Sequence, residues 1–155
     1  MKYAFFPGCS LESTAWDFDR STRAVCRALG IELEEIPDWV CCGSTPAHAS
    51  SASLAVALPV LNLQKAQAAG LPVMTACASC YARLRTANHK VRNETEDRQR
   101  AERITGKPYS GEVEATIRAT AHAGTWWAAR ALARRPKAAR ASLRAVGRRS
   151  ASLDR

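Results

Sequence analysis

Five thiols carry the chemistry of this chain: Cys9, the adjacent pair Cys41 and Cys42, and the CxxC pair Cys77 and Cys80. With 31 and 34 residues between them they read C, CCG, CxxC. Thiols grouped in this way serve a metal centre or a redox reaction, and their number narrows the choice. Four thiolates complete a tetrahedral zinc ion or an ordinary cubane cluster, so a fifth points to a less usual iron–sulfur assembly. The adjacent pair points the same way. Neighbouring Cα atoms lie about 3.8 Å apart and their side chains tend to diverge, which is awkward for one small ion and suits two irons of a larger cluster. Two other chemistries compete. One is a four-thiolate zinc site built on the CxxC; the other is a thioredoxin-like dithiol at Cys77 and Cys80, which leaves three cysteines without a role.

These thiols need elements that bring them together. Over the first 100 residues a short apolar strand, a cysteine or cysteine pair and a helix recur three times, a pattern that predicts a parallel sheet with helices packed on it. Lys2 to Phe6 reads as a strand stopped by Pro7 and Gly8. Leu11, Ala15, Phe18, Thr22, Val25 and Leu29 then fall at alternating steps of four and three, one face of a helix that Gly30 can end. Ile31 to Ile36 alternates apolar and acidic residues as a half-exposed strand should, and Pro37 closes it. Ser44 and Thr45 before Pro46 suggest a helix start, and Leu54, Leu58, Leu61 and Lys65 carry that helix to Gly70. Pro72 to Ala76 is a third strand, and a third helix begins at Cys77 to Cys80 and continues through Ala87 and Val91.

The expected fold is therefore a three-layer α/β domain with a short parallel sheet of βα units, a Rossmann-like half. In such a sheet the carboxyl ends of the strands line one crevice where ligands bind. Cys9, the Cys41/Cys42 pair and Cys77 all follow strands, so they should converge there, with helix N-termini favouring thiolates. Cys26 lies in mid-helix beside the apolar face and reads as an ordinary buried thiol.

At 155 residues the chain is one domain's worth plus a tail. Met1 to Phe6 reads as neither a secretory signal nor an anchor, and no run approaches the roughly 20 apolar residues that span a bilayer. A cytoplasmic protein is expected, where structural disulfides are disfavoured and grouped cysteines mean metal or redox chemistry. The net charge of +9 invites a nucleic-acid reading until it is divided. Residues 1 to 80 hold five basic and seven acidic residues, net −2, and residues 81 to 155 hold eighteen and seven, net +11. The basicity belongs to the tail, and no nucleic-acid partner is expected for the cysteine-bearing body.

The motifs PGCS at Pro7 to Ser10, WVCCGST at Trp39 to Thr45, TACASCYARL at Thr75 to Leu84 and YSGEVE at Tyr109 to Glu114 closely resemble the cysteine-rich CCG domain of the B-type subunit of heterodisulfide reductase. The resemblance covers roughly residues 1 to 114. Related domains occur in subunits of succinate, glycolate and lactate oxidising systems. It implies a non-cubane [4Fe-4S] cluster held by Cys9, Cys41, Cys42, Cys77 and Cys80, and an oxidoreductase subunit that reductively cleaves a disulfide with electrons from a partner iron–sulfur subunit. A zinc-stabilised interaction module without redox activity is the alternative.

Members of that family carry two cysteine-rich halves, and this chain has the pattern of the first. From Ala115 onward thirteen of forty-one residues are alanine and ten are basic. Residues 115 to 155 are thus expected to be an irregular or helical Ala/Arg-rich tail, disordered or arising from a shifted reading frame, with no functional meaning for Trp126 and Trp127. A basic helix or tail that binds nucleic acid or an acidic partner is the competing reading. Elsewhere His48 follows the CCG and reads as a solvent-facing or capping residue, and His89 and His122 receive no role. Trp39 and Tyr81 adjoin cysteines and can shield a cluster or simply pack. Arg83 and Arg85 solvate a helix face or attract an anion.

Overall fold

The computed structural model describes residues 1–44 and 46–117. The expected tail lies outside the described residues from position 118 on, and His122, Trp126 and Trp127 with it. The elements in chain order are β1 (Lys2–Phe6), α1 (Cys9–Glu12), α2 (Trp16–Ala28), β2 (Glu32–Glu35), α3 (Pro46–Ser50), α4 (Ala52–Ala69), β3 (Val73–Thr75), α5 (Ala78–Asn93), α6 (Thr95–Thr105) and β4 (Ala115–Ile117).

The four strands form one parallel sheet in the order β2-β1-β3-β4. This is the expected α/β architecture, and the order matters. From β1 the chain steps outward to β2, then returns over β1 to place β3 on its other side, so the switch point of the doubly wound sheet lies between β1 and β3.

Strand alternation divides the core in two. Ala4, Phe6 and Val73 face α4 and α5, where Val60, Leu63, Leu84 and Val91 close the larger core. The residues between them face the other way: Tyr3 and Met74 join Cys26, Ile31, Leu29 and Leu33 in a smaller core at α2. Each large apolar side chain fully buried here contributes about 1.5–3 kcal/mol. Over Phe5 the Arg23 guanidinium lies 4.6 Å from the ring centroid, and it pairs with Asp19 on its own helix and Glu35 on β2.

Two expected helices are each interrupted. The one read from Leu11 to Leu29 breaks after α1, because the Ser13 hydroxyl donates to the Cys9 carbonyl and Ala15 N–H to the Ser10 carbonyl, closing a single turn. On the face expected to point inward, Phe18 near the start of α2 is 40% exposed, while Thr22 one turn on is fully buried. The second helix restarts at Ser51, whose hydroxyl accepts the Leu54 N–H and caps α4. Gly70, in the left-handed region at φ 65°, ends α4 as its place in the sequence suggests.

Helix α6 and strand β4 go beyond what the sequence pattern announces. α6 is highly polar, with Glu96 and Asp97 in its first turn, and it docks by burying Ala101. Asp97 is buried as well and bonds Lys90 on α5 at 2.9 Å. The segment after α6 is fastened to α4 and α5 by amide side chains: Gln64 donates to the Lys107 carbonyl, Gln67 accepts from Ser110 N–H, and Asn88 donates to the Val113 carbonyl. This delivers Ala115–Ile117 alongside β3, so the sheet takes in three residues past position 114.

Candidate metal centre

Cys9 follows β1 at once. Pro7 cannot continue the ladder, and Gly8 turns the chain at φ 75°, a conformation that costs little only for glycine. Gly8 also makes room, since a Cβ there would stand 2.8 Å from the Cys80 sulfur. Cys77 and Cys80 come directly after β3. Cys77 is the extended residue that opens α5, and Cys80 is one turn in, on the buried side. Thr75, wholly buried, accepts the Cys77 N–H through its hydroxyl at 3.4 Å.

The CCG reaches the same place by a different route. After β2 the chain turns at Asp38, whose φ of 48° is unusual for a residue with a side chain. Trp39 stacks edge to face on Phe6, with ring centroids 5.5 Å apart. From there the two adjacent cysteines part. The Cys41 sulfur lies 3.8 Å from that of Cys9 and both residues are exposed, whereas the Cys42 sulfur lies 3.5 Å from that of Cys80 and both are buried. Cys77 is close enough to Cys80 to raise its pKa further. All five thiols thus share one neighbourhood at the β1/β3 switch point, an outer pair and an inner pair with Cys77 beside the latter.

Charge is unevenly divided over them. The Cys42 thiol is drawn down to about 6, first by its hydrogen bond with Cys80 and further by the Ser44 amide, against the cost of burial. Cys80 is pushed well above the ordinary thiol range by that same bond and by burial, so it keeps the proton that Cys42 gives up. Cys41 is raised, chiefly by desolvation, though the Gly43 amide works in the opposite sense. Amides at Gly43 and Ser44 therefore face the two sulfurs, an arrangement the left-handed Gly43 (φ 70°) permits.

Among the described residues no three Cys, His, Asp or Glu side chains close on one point tightly enough for a single metal ion. The donors lie in pairs. Two clefts, of about 420 and 360 Å³, open beside β2 and include Glu12 and Glu35; neither has a cysteine in its lining.

Cys26 is buried with Ile31 and Met74 in the smaller core, apart from the other five. His48 is exposed on α3, as a solvent-facing residue should be, and His89 is exposed on α5. Tyr81 is half-buried and accepts a hydrogen bond from Arg85 at 2.9 Å, so the Arg85 charge is held against α5. Arg83 is half-buried on the same helix. Sequence reasoning missed Thr75, the two loop amides and, on α4, Asn62, which bonds the backbone next to the CCG. Its signal was an amide in the middle of the apolar run from Leu54 to Leu63.

A doubly wound parallel sheet with thiols gathered at its switch point defines the class: an α/β domain with its cysteines grouped where such folds bind ligands. Residues 3–85 match the CCG family, described as a cysteine-rich domain, and the chain belongs to that family. It is 33% identical over 116 residues to the 8-methylmenaquinol:fumarate reductase membrane anchor subunit of Wolinella succinogenes, covering 74% of this chain and 41% of that one. It is 34% identical over 120 residues to a protein of Archaeoglobus profundus named for its likeness to the B-type subunit of heterodisulfide reductase, covering 74% and 40%. The chain thus spans about two-fifths of the length of these curated relatives. Among the described residues no helix is long and apolar enough to cross a membrane.

Proposed function

We propose that this chain is the cluster-bearing part of an oxidoreductase subunit of the heterodisulfide reductase type, in which Cys9, Cys41, Cys42, Cys77 and Cys80 hold a non-cubane [4Fe-4S] cluster. The observation that carries this reading is the divergence of the adjacent pair, Cys41 toward Cys9 and Cys42 toward Cys80. Two separate pairs of sulfurs with a fifth beside the inner pair fit a group with several attachment points and do not fit one small tetrahedral ion. Membership of the CCG family and likeness to subunits of two reductases support it.

When bound, the cluster supplies electron transfer and an iron site for a substrate sulfur. The protein's own part is to present ionised sulfur and to exclude water. Cys42 is the thiol readiest to ionise, and the Gly43 and Ser44 amides stabilise charge on the CCG sulfurs. Phe6, Trp39 and the close approach of Gly8 keep the inner side dry, whereas Cys9 and Cys41 border solvent. A disulfide substrate enters on that outer side. Its reduction takes two electrons from a partner iron–sulfur subunit and two protons from solvent, breaks the S–S bond and releases two thiols.

Anaerobic reconstitution with iron and sulfide tests the proposal. About four irons per chain are expected, with visible absorption and a paramagnetic signal on one-electron change. Serine in place of any of the five cysteines should lower the iron content, and Cys26→Ser should not. One equivalent of zinc with no iron-dependent signal would replace this reading by the zinc-stabilised module.

A further inference from the structure

The turn that leads into the CCG is held by one stripe of α4. Leu58, Asn62 and Lys65 recur at helical spacing and so share a face. Lys65 donates through its ammonium to the Asp38 carbonyl. Leu58 lies under Gly43, where an added Cβ would come within 2.9 Å of its Cδ1. Between them Asn62, fully buried, accepts the Val40 N–H through Oδ1 at 2.9 Å and donates through Nδ2 to the Val40 carbonyl, also at 2.9 Å. A third contact runs from Nδ2 to the Leu58 carbonyl at 3.3 Å.

A pair of bonds to both backbone groups of one residue is what a neighbouring β-strand would make, and β2 has already ended at Glu35. A buried amide is costly unless satisfied, so a leucine would pack beside Val60 and Leu63 more simply if packing were all that position 62 supplied. Val40 immediately precedes the two cysteines that leave the backbone in different directions. Trp39, stacked on Phe6, fixes the preceding residue from the other side.

We infer that Asn62 is the positioning residue of the CCG loop: its side-chain amide replaces a missing strand partner at Val40, and so directs Cys41 to Cys9 and Cys42 to Cys80. The use of this geometry for a cluster rests on the proposed function; the hold on the loop does not.

The test is cysteine-by-cysteine alkylation of the metal-free full-length chain, read by mass spectrometry, with buried Cys26 in the smaller core as the internal measure of global opening. In Asn62→Leu the rate at Cys42 relative to Cys26 should rise about tenfold or more, the change expected when two net-favourable hydrogen bonds are lost from a local structure. Asn62→Asp keeps the acceptor for Val40 N–H, loses the donor, and should give a smaller rise. Gln64→Leu, which removes a buried amide of α4 that bonds Thr105 and Lys107, should leave the ratio unchanged.

A Cys42 to Cys26 ratio in folded Asn62→Leu within about twofold of the wild type, set against the loss of two bonds, would overturn the inference. So would an equal rise in Gln64→Leu. If Asn62→Leu unfolds, both thiols accelerate together, and an unchanged ratio in Asn62→Asp then overturns it. Iron reconstitution separates the two readings. Wild type that takes up iron while Asn62→Leu takes up less, with an altered paramagnetic signal, supports both; wild type that takes up none removes the cluster reading while the thiol ratios still decide the role of Asn62.

Discussion

Cys77 and Cys80 are held by main chain, whereas Cys41 and Cys42 are held by side chains from a distant helix. The first pair sits where β3 passes into α5, and regular backbone geometry fixes both positions once strand and helix exist. The second pair sits on a turn with an unusual Asp38, a left-handed Gly43 and anchors at Leu58, Asn62 and Lys65. One half of the site is thus specified locally. The other half depends on α4 being docked.

This contrast can be broken most decisively at Gly43. Gly43→Ala puts a Cβ 2.9 Å from both Ala47 Cβ and Leu58 Cδ1 at a positive φ, and about 2–3 kcal/mol of stability should be lost. Urea unfolding and iron content together check it, and unaltered iron binding would show that the loop is not the demanding half. A pH titration of thiolate absorbance in the metal-free chain comes next. The Cys42 pKa is lowered, so its thiolate forms as pH rises through about 6 and is lost below it; one equivalent should grow about tenfold between roughly pH 5 and 7. Cys80 stays protonated throughout that window because its pKa is raised. Cys80→Ala, by removing the main cause, should return Cys42 toward the ordinary range.

On the locally specified side the expected effects are small. Thr75→Val removes the hydroxyl that accepts the Cys77 N–H and should cost about 1 kcal/mol in thermal or urea unfolding, with iron content unchanged because α5 still places both thiols. A large loss of iron there would reverse the comparison. Lys65→Ala, on the CCG side, should be smallest, about 0.5 kcal/mol or less for a bond at the surface, measured in the same unfolding assay.

The same division explains what could be read in advance. β1 is an aromatic run ended by Pro7, and β3 is a short apolar run followed by CxxC, so both strands and the thiols after them follow from local pattern. That Cys9 and Cys77 both follow strands at the same end of the sheet was legible for that reason. The pairing of Cys41 with Cys9 and of Cys42 with Cys80 was not, since it depends on the Val40 bonds to a helix that begins well after the CCG motif, at Ala52. The breaks at Ser13 and Ser51 were hidden for another reason: a serine hydroxyl bonding nearby backbone interrupts a helix without disturbing the apolar spacing on either side. α6 lacks an apolar stripe, and its docking through Ala101 and the buried Asp97 leaves little trace in a periodicity.

The strand order also sets a timetable. β1 is central, so it pairs with Glu32–Glu35 early in synthesis but waits for Val73–Thr75 on its other edge. Closing that longer loop is the slower step, since non-local pairing must meet the entropy of the chain between. During translation the outer thiols, Cys9 and Cys41, can meet while the ribosome is still delivering the segment that contains Cys77 and Cys80. The inner pair completes the site last, which leaves a nascent-chain interval in which Cys42 is made but lacks the Cys80 partner that lowers its pKa.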